Sequence, residues 1–426
     1  MKSTYQLRRA LTFPNITNSQ FFLWLIWPFA SLVYAIRNFR DPRSKTLFWL
    51  FCIYFGFVFI YAEPFEKGTA DSSRIAGKLI ELHEKPISFE SLYKSFYNDE
   101  NFVDIYQPLT LWIVSRFTND PKWLFTIFSL IFGFFYASNI WILLRFAWNR
   151  INWAIFLYIL FFALINPIWN INGVRMWTSA QVFLYGLLNI FLLKNKNGWI
   201  WLILTVFIHF SFLFPLSLFL LYKFLPKNIH FYFAFFITTA FLNEINLAEV
   251  RNLFNFLPEI FQPRIQSYTN ENYYEYLVEH SSKLSWHVIL ARNANNYLIY
   301  AWVILLYIYH KKWFQNLDFI KHLFIFTLYL SSWAHIASLV PSGGRFLTLS
   351  HSLFFSVIIL LLIINSKKHL IHSFSNILTI PLIFVLIFRI RIGFDYMGIS
   401  AFIGNPVIAL FIEDQTPLID FVKSLL

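Results

Sequence analysis

Three arginines sit where an apolar chain should not carry them. Arg175 follows 170-NING-173 and begins an apolar run. Arg292 lies in 291-ARNANNYLIYAWVILLYI-308, and Arg345 in 341-PSGGRFLTLSHSLFF-355. A cation in the first turn of a helix opposes the helix dipole, which is positive there. Inside a membrane it costs more still. An arginine, free backbone N–H groups and that dipole together form an anion site, and a bound phosphate or diphosphate removes the repulsion. Gly173, Gly343 and Gly344 would let such an anion approach the backbone, with Asn172 beside them. One such arginine alone would be expected to snorkel to lipid headgroups. Three at corresponding helix starts point to an anionic ligand, a diphosphate above all. Arg389 and Arg391 end a span, where snorkelling accounts for them.

Such a ligand needs a chemical partner. A base with a pKa near neutral could deprotonate an attacking hydroxyl, and arginines would stabilise a diphosphate leaving group electrostatically. Two residues qualify as base. His209 stands in a deeply apolar setting beside Ser211, in 208-IHFS-211. An ionisable residue at that depth points to function; a core histidine bonded to a backbone carbonyl is the plain alternative. His209 could equally bind phosphate. Asp71 lies in a polar, mixed-charge segment, where an ordinary solvated carboxylate is the plain alternative. No Asp–x–Asp pair marks a divalent-cation site. The single cysteine, Cys52, excludes a disulfide framework or cysteine metal site. Neither a metal nor a cofactor is expected.

The elements that must position these residues are membrane helices. The 426 residues are 58% hydrophobic and 13% charged, with 54 phenylalanines. A soluble domain carries about twice that charge, so the chain reads as an all-α, polytopic transmembrane bundle. Apolar runs fall at about 21–36, 46–62, 122–144, 151–166, 175–193, 198–222, 229–246, 293–310, 317–339, 346–365 and 374–390. With the short run 105–117 they give about 10–12 membrane segments, one or two of them re-entrant or broken. The net charge of +12 is largely topology signal rather than a nucleic-acid surface. Basic turns around Arg37–Lys45, Arg145–Arg150, Lys194–Lys196, Lys311–Lys312 and Lys367–Lys368 are placed in the cytoplasm. Residues 63–104, 247–284 and the tail 391–426 then lie outside, on one integral membrane domain spanning 1–426. Lys223 and Lys227 also look cytoplasmic, which favours a hairpin over 198–224 with its break at His209 and Ser211. In the second outer loop, Tyr268, Tyr273, Tyr274 and Tyr276 stand among Asn and Glu, a mixture suited to sugar rings or to an interfacial belt.

With these residues in hand, the chain resembles the EpsG/Wzy-like polysaccharide polymerases, integral-membrane enzymes similar to GT-C glycosyltransferases. The likeness runs through 68-GTADSSRIAGKLIEL-82, 172-NGVRMWTSAQVFLYG-186, 208-IHFS-211 and 344-GRFLTLS-350. Arg74 departs from it, standing where the pattern has a tyrosine. The resemblance implies a multi-pass protein of the bacterial cytoplasmic membrane. It would transfer a growing glycan from an undecaprenyl-diphosphate carrier onto the next lipid-linked repeat unit. His209 and Asp71 become the catalytic candidates, Arg175, Arg345, Arg292 and Arg74 the diphosphate ligands. Asn172, Gly173, Ser211 and Gly344 support them. A chain-length regulator is a further candidate partner. An O-antigen-ligase-like transferase differs only in acceptor. A flippase for lipid-linked saccharide would need internal repeats, and none is evident.

Overall fold

A computed structural model describes residues 12–61, 71–95, 104–146, 151–242, 247–253, 286–365, 369–412 and 416–425, with a few single positions between 255 and 270. The tyrosine-rich stretch 271–285, Tyr268 and loop residues 63–70 lie outside the described residues. The principal helices are α1 Asn18–Ile26, α2 Pro28–Arg37, α3 Arg43–Phe57, α4 Asp71–Glu84, α5 Tyr106–Ser115, α6 Pro121–Phe146, α7 Trp153–Ile165, α8 Val174–Phe191, α9 Gly198–Ile208, α10 Leu213–Phe224, α11 Ile229–Ala240, α12 Trp286–Ile308, α13 Asp318–Ala337, α14 Arg345–Ile364 and α15 His369–Gly393. Among the described residues, four stretches are long and apolar enough to cross a membrane: Pro121–Phe146, Trp153–Phe191, Arg345–Ile364 and His369–Gly393; shorter apolar helices accompany them. The chain is an all-α polytopic membrane protein, as its composition requires.

The helices form two compact units. The first comprises residues 1–149, 166–212 and 387–426. In it α3 and α6 pack closely through missing side chains. A Cβ on Gly56 would come 2.5 Å from Phe125 O, and one on Gly133 2.6 Å from Cys52 Cβ. Helices α8 and α9 cross in the same way: a Cβ on Gly186 would lie 2.9 Å from Gly198 O, and one on Gly198 2.6 Å from Gly186 O. Small residues at the crossing suit a medium with no hydrophobic drive between helices. Gly186→Val is therefore expected to cost about 1–3 kcal/mol, the range for overpacking. It should lower the unfolding temperature of the detergent-purified protein; an unchanged temperature would remove the close crossing as the cause.

The long apolar stretch 153–191 is broken at Pro167, which cannot continue α7. One 3-10 segment, Ile168–Gly173, then leads into α8. The polar groups freed by the break are satisfied inside. Gln181 Nε2 donates to Asn166 O (2.9 Å), Asn166 Nδ2 to Trp177 O (3.1 Å), and buried Asn139 Nδ2 to Gln181 Oε1 (2.8 Å). Without water, such groups must find protein partners.

The second unit comprises residues 150–165 and 213–386. Helices α7, α11, α13 and α14 form its core. Buried Trp302 donates to Tyr158 Oη at 3.1 Å. Asn295 and His351 meet at 2.7 Å, and Thr239 and His335 at 3.2 Å. His335 and His351 are thus each paired with a core polar group, as most buried polar atoms are.

Candidate functional site

Helix α9 ends at His209, whose backbone turns extended (φ −150°, ψ 112°) while its N–H still donates to Thr205 O. A 3-10 turn, Phe210–Phe212, follows before α10. The break expected at His209 and Ser211 is thus present. It leaves carbonyls at the end of α9 without intrahelical partners. One of them, Phe207 O, accepts from Ile105 N–H at 2.9 Å. That bond pins the residue after Asp104 against the break.

Asp104 is the centre of the site. Its side chain is fully buried, 0% exposed. Oδ1 accepts the Phe210 N–H at 2.6 Å. Oδ2 accepts from Arg175 Nη1 at 2.8 Å and from His209 Nδ1 at 2.9 Å. Burial pushes the Asp104 carboxyl up, but the hydrogen bonds from His209 and the Phe210 N–H and the Arg175 charge outweigh it and hold the pKa below the usual carboxylate range. The carboxylate stays ionised, and an ionised carboxylate only accepts. His209 Nδ1 therefore carries the hydrogen, and Nε2 is the basic nitrogen.

Arg175 is the second residue of α8, as its sequence position requires. Asp104 supplies the negative charge that a cation at this helix start lacks. Its side chain is 38% exposed, with one donor engaged by Asp104. The His209 side chain is 12% exposed. The arrangement places a basic imidazole nitrogen and an arginine on either side of one buried carboxylate. Chemically it can take a proton at Nε2 and hold an anion at the guanidinium. Ser211 Oγ is buried with no hydrogen-bond partner among the described residues.

A second cluster stands at the entry to α8. Asn172 Oδ1 accepts from the Ser72 N–H at 3.0 Å, and Asn172 Nδ2 donates to Tyr396 Oη at 3.0 Å. Asp71 begins α4 and forms an ion pair with Arg74 across one helical turn; both are solvent-accessible. A Cβ on Gly173 would sit 3.9 Å from Asp71 Oδ2 and 3.0 Å from Trp177 Nε1. The structure therefore brings Arg175 and His209 together directly, and Asp71, Arg74, Asn172 and Gly173 at the neighbouring helix start.

Arg292 and Arg345 belong to the second unit. Arg292 lies in α12. Arg345 is exposed at the first residue of α14, with Gly344 before it. Gly344 has room for a side chain, whereas a Cβ on Gly343 would press within 2.6 Å of the Ala337 carbonyl carbon. Packing against α13 is thus reason enough for Gly343.

Sequence reasoning missed Asp104. It ends a polar segment with other acids, so nothing in its composition set it apart. The available signal was its position, one residue before the apolar run 105–117. A family model described as the EpsG family matches residues 87–405, about three quarters of the chain. The matched span holds Asp104, Arg175, His209, Arg292, Arg345 and Tyr396, and stops short of Asp71 and Arg74. No curated protein and no solved structure matches.

Proposed function

Because the chain belongs to the EpsG family, with its polysaccharide-polymerase type of role, we propose that it extends a glycan carried on a polyprenyl diphosphate at the extracytoplasmic face of the bacterial cytoplasmic membrane. The observation that carries this reading is the buried Asp104 carboxylate shared by Arg175 and His209. An acceptor hydroxyl gives its proton to His209 Nε2 as its oxygen attacks the anomeric carbon of the donor. The bond from that carbon to the diphosphate oxygen breaks, and the diphosphate leaves with the electron pair. Asp104 stabilises the imidazolium that forms, and the free donors of Arg175 take the charge growing on the leaving group. The reaction on this scheme is metal-independent and of the GT-C type. Arg292, Arg345 and Arg74 are retained as proposed diphosphate ligands, Asp71 as the alternative base near the acceptor, and a chain-length regulator as a proposed partner.

The test is the surface-glycan ladder of cells lacking the gene, complemented with wild type or Arg175→Lys. The null strain should show single-repeat glycan only. Lysine keeps the charge but loses the planar fork, so long chains should fall by about tenfold, the worth of one charge-assisted hydrogen bond. Long chains persisting in the null strain would end the polymerase reading.

A further inference from the structure

The first unit contains a groove that the proposed chemistry has not used. Beyond α15, residues 394–412 turn back onto the ends of α3 and α6. Ile60 N–H donates to Tyr396 O at 3.1 Å, and Tyr54 Oη to Ser400 O at 2.7 Å. Between this segment and those helix ends lies a cavity of about 470 Å³. Phe57, Phe59, Ile399, Ile403 and Ile408 line it, and among the described residues Lys122 is its one charged lining residue. Asp120 Oδ1 accepts the Lys122 backbone N–H at 2.9 Å and caps α6.

The surface around the groove is apolar too. Ile403 is 68% exposed, Phe411 83% and Ile412 57%. Exposed apolar side chains in this number belong in lipid rather than water. One lining side chain of the groove also connects, through two others, to the cluster at the entry to α8. Phe59 stacks on Tyr396, centroids 6.0 Å apart and planes within 4°. Tyr396 Oη accepts from Asn172 Nδ2, and Asn172 Oδ1 accepts the Ser72 N–H at the start of α4.

We infer that this groove takes the isoprenoid chain of the polyprenyl-diphosphate carrier, with Lys122 facing its phosphate charge. An apolar slot carrying a lysine matches a long hydrocarbon chain ending in an anion, and the contact chain from Phe59 through Tyr396 to Asn172 favours a substrate lipid over a bulk one. The inference rests on the donor class proposed above.

Protein in phosphatidylglycerol-containing nanodiscs would be irradiated with a polyprenyl phosphate bearing a diazirine in its chain. Label is expected on peptides holding Phe57–Phe59 and Ile399–Ile408. Excess unmodified polyprenyl phosphate should displace it and excess phosphatidylglycerol should not. Ile403→Trp, which fills the groove from an exposed position, and Lys122→Gln should each cut labelling by about tenfold. Phe411→Trp, outside the lining, should leave it unchanged. Equal displacement by phosphatidylglycerol makes the groove a bulk-lipid site and overturns the inference, as does full labelling of Ile403→Trp. Labelling reads binding and not turnover. The groove can therefore fail while the glycan ladder still reports a polymerase, and the ladder can fail while the groove still takes label.

Discussion

Asp104→Asn is expected to remove long-chain glycan by 100-fold or more while leaving the protein in the membrane, an estimate of the order of a lost acid–base group, about 10²–10⁴. Asparagine is nearly isosteric and its Oδ1 can still accept the Phe210 N–H. It has no charge to set against Arg175, and its amide must turn either a donor or a weaker acceptor toward His209 Nδ1. The hydrogen on Nδ1 loses its carboxylate, so the tautomer and the orientation of the ring are no longer fixed. Asp104→Ala should go further. It leaves the Arg175 cation without its counter-ion, and because that side chain is 38% exposed the cost should fall below the about 3–5 kcal/mol of a fully buried pair. Membrane immunoblots beside the ladder separate the two effects: alanine should lower protein abundance, asparagine should not. A normal ladder from Asp104→Asn would sink the proposed site. The same pair predicts a pH effect. The folded pKa of Asp104 lies below its unfolded value, so its contribution is full above the unfolded carboxylate value of about 3.9 and is lost as pH falls through the lower folded one. The difference in unfolding temperature between wild type and Asp104→Asn should accordingly hold constant above about pH 5 and close only in stronger acid.

His209→Asn should fold as wild type and fail to polymerise, with a loss of about 10²–10⁴ in rate. The asparagine amide can stand where Nδ1–H stands and donate to Asp104, so the buried carboxylate keeps its partners. What it lacks is a basic atom at the Nε2 position. His209→Gln places an amide further out and should lose the Asp104 contact as well, so it should be both inactive and less stable. In-vitro extension of a lipid-linked repeat by purified protein, with unfolding temperatures alongside, distinguishes them. Activity of His209→Asn within a few-fold of wild type would assign the histidine to structure and move the base elsewhere, Asp71 first.

Much of this protein could be read along the chain. The membrane class follows from composition, because lipid tolerates few charges and only satisfied backbone. Arg175 and His209 stood out for the same reason, as ionisable groups in apolar runs. The break at His209 was legible from conflicting basic turns, and Pro167 marks its own break by having no N–H to give. The glycine crossing of α8 and α9 was not legible, since Gly186 and Gly198 gain meaning only when two backbones meet.

Asp104 divides the two kinds of knowledge most clearly. Its partners lie 71 and 105 residues away, and no local pattern links a loop acid to a helix start and a helix end. In sequence it is one carboxylate among several in a polar segment. Folding removes it from water, and burial then forces it to find every partner it has. Along the chain, Arg175 already calls for an anion, as a cation that opposes a helix dipole in an apolar run. That the protein supplies this anion itself, and that the same carboxylate sets the proton on His209, emerges on folding, because Coulombic and hydrogen-bonded partners are chosen by distance in space.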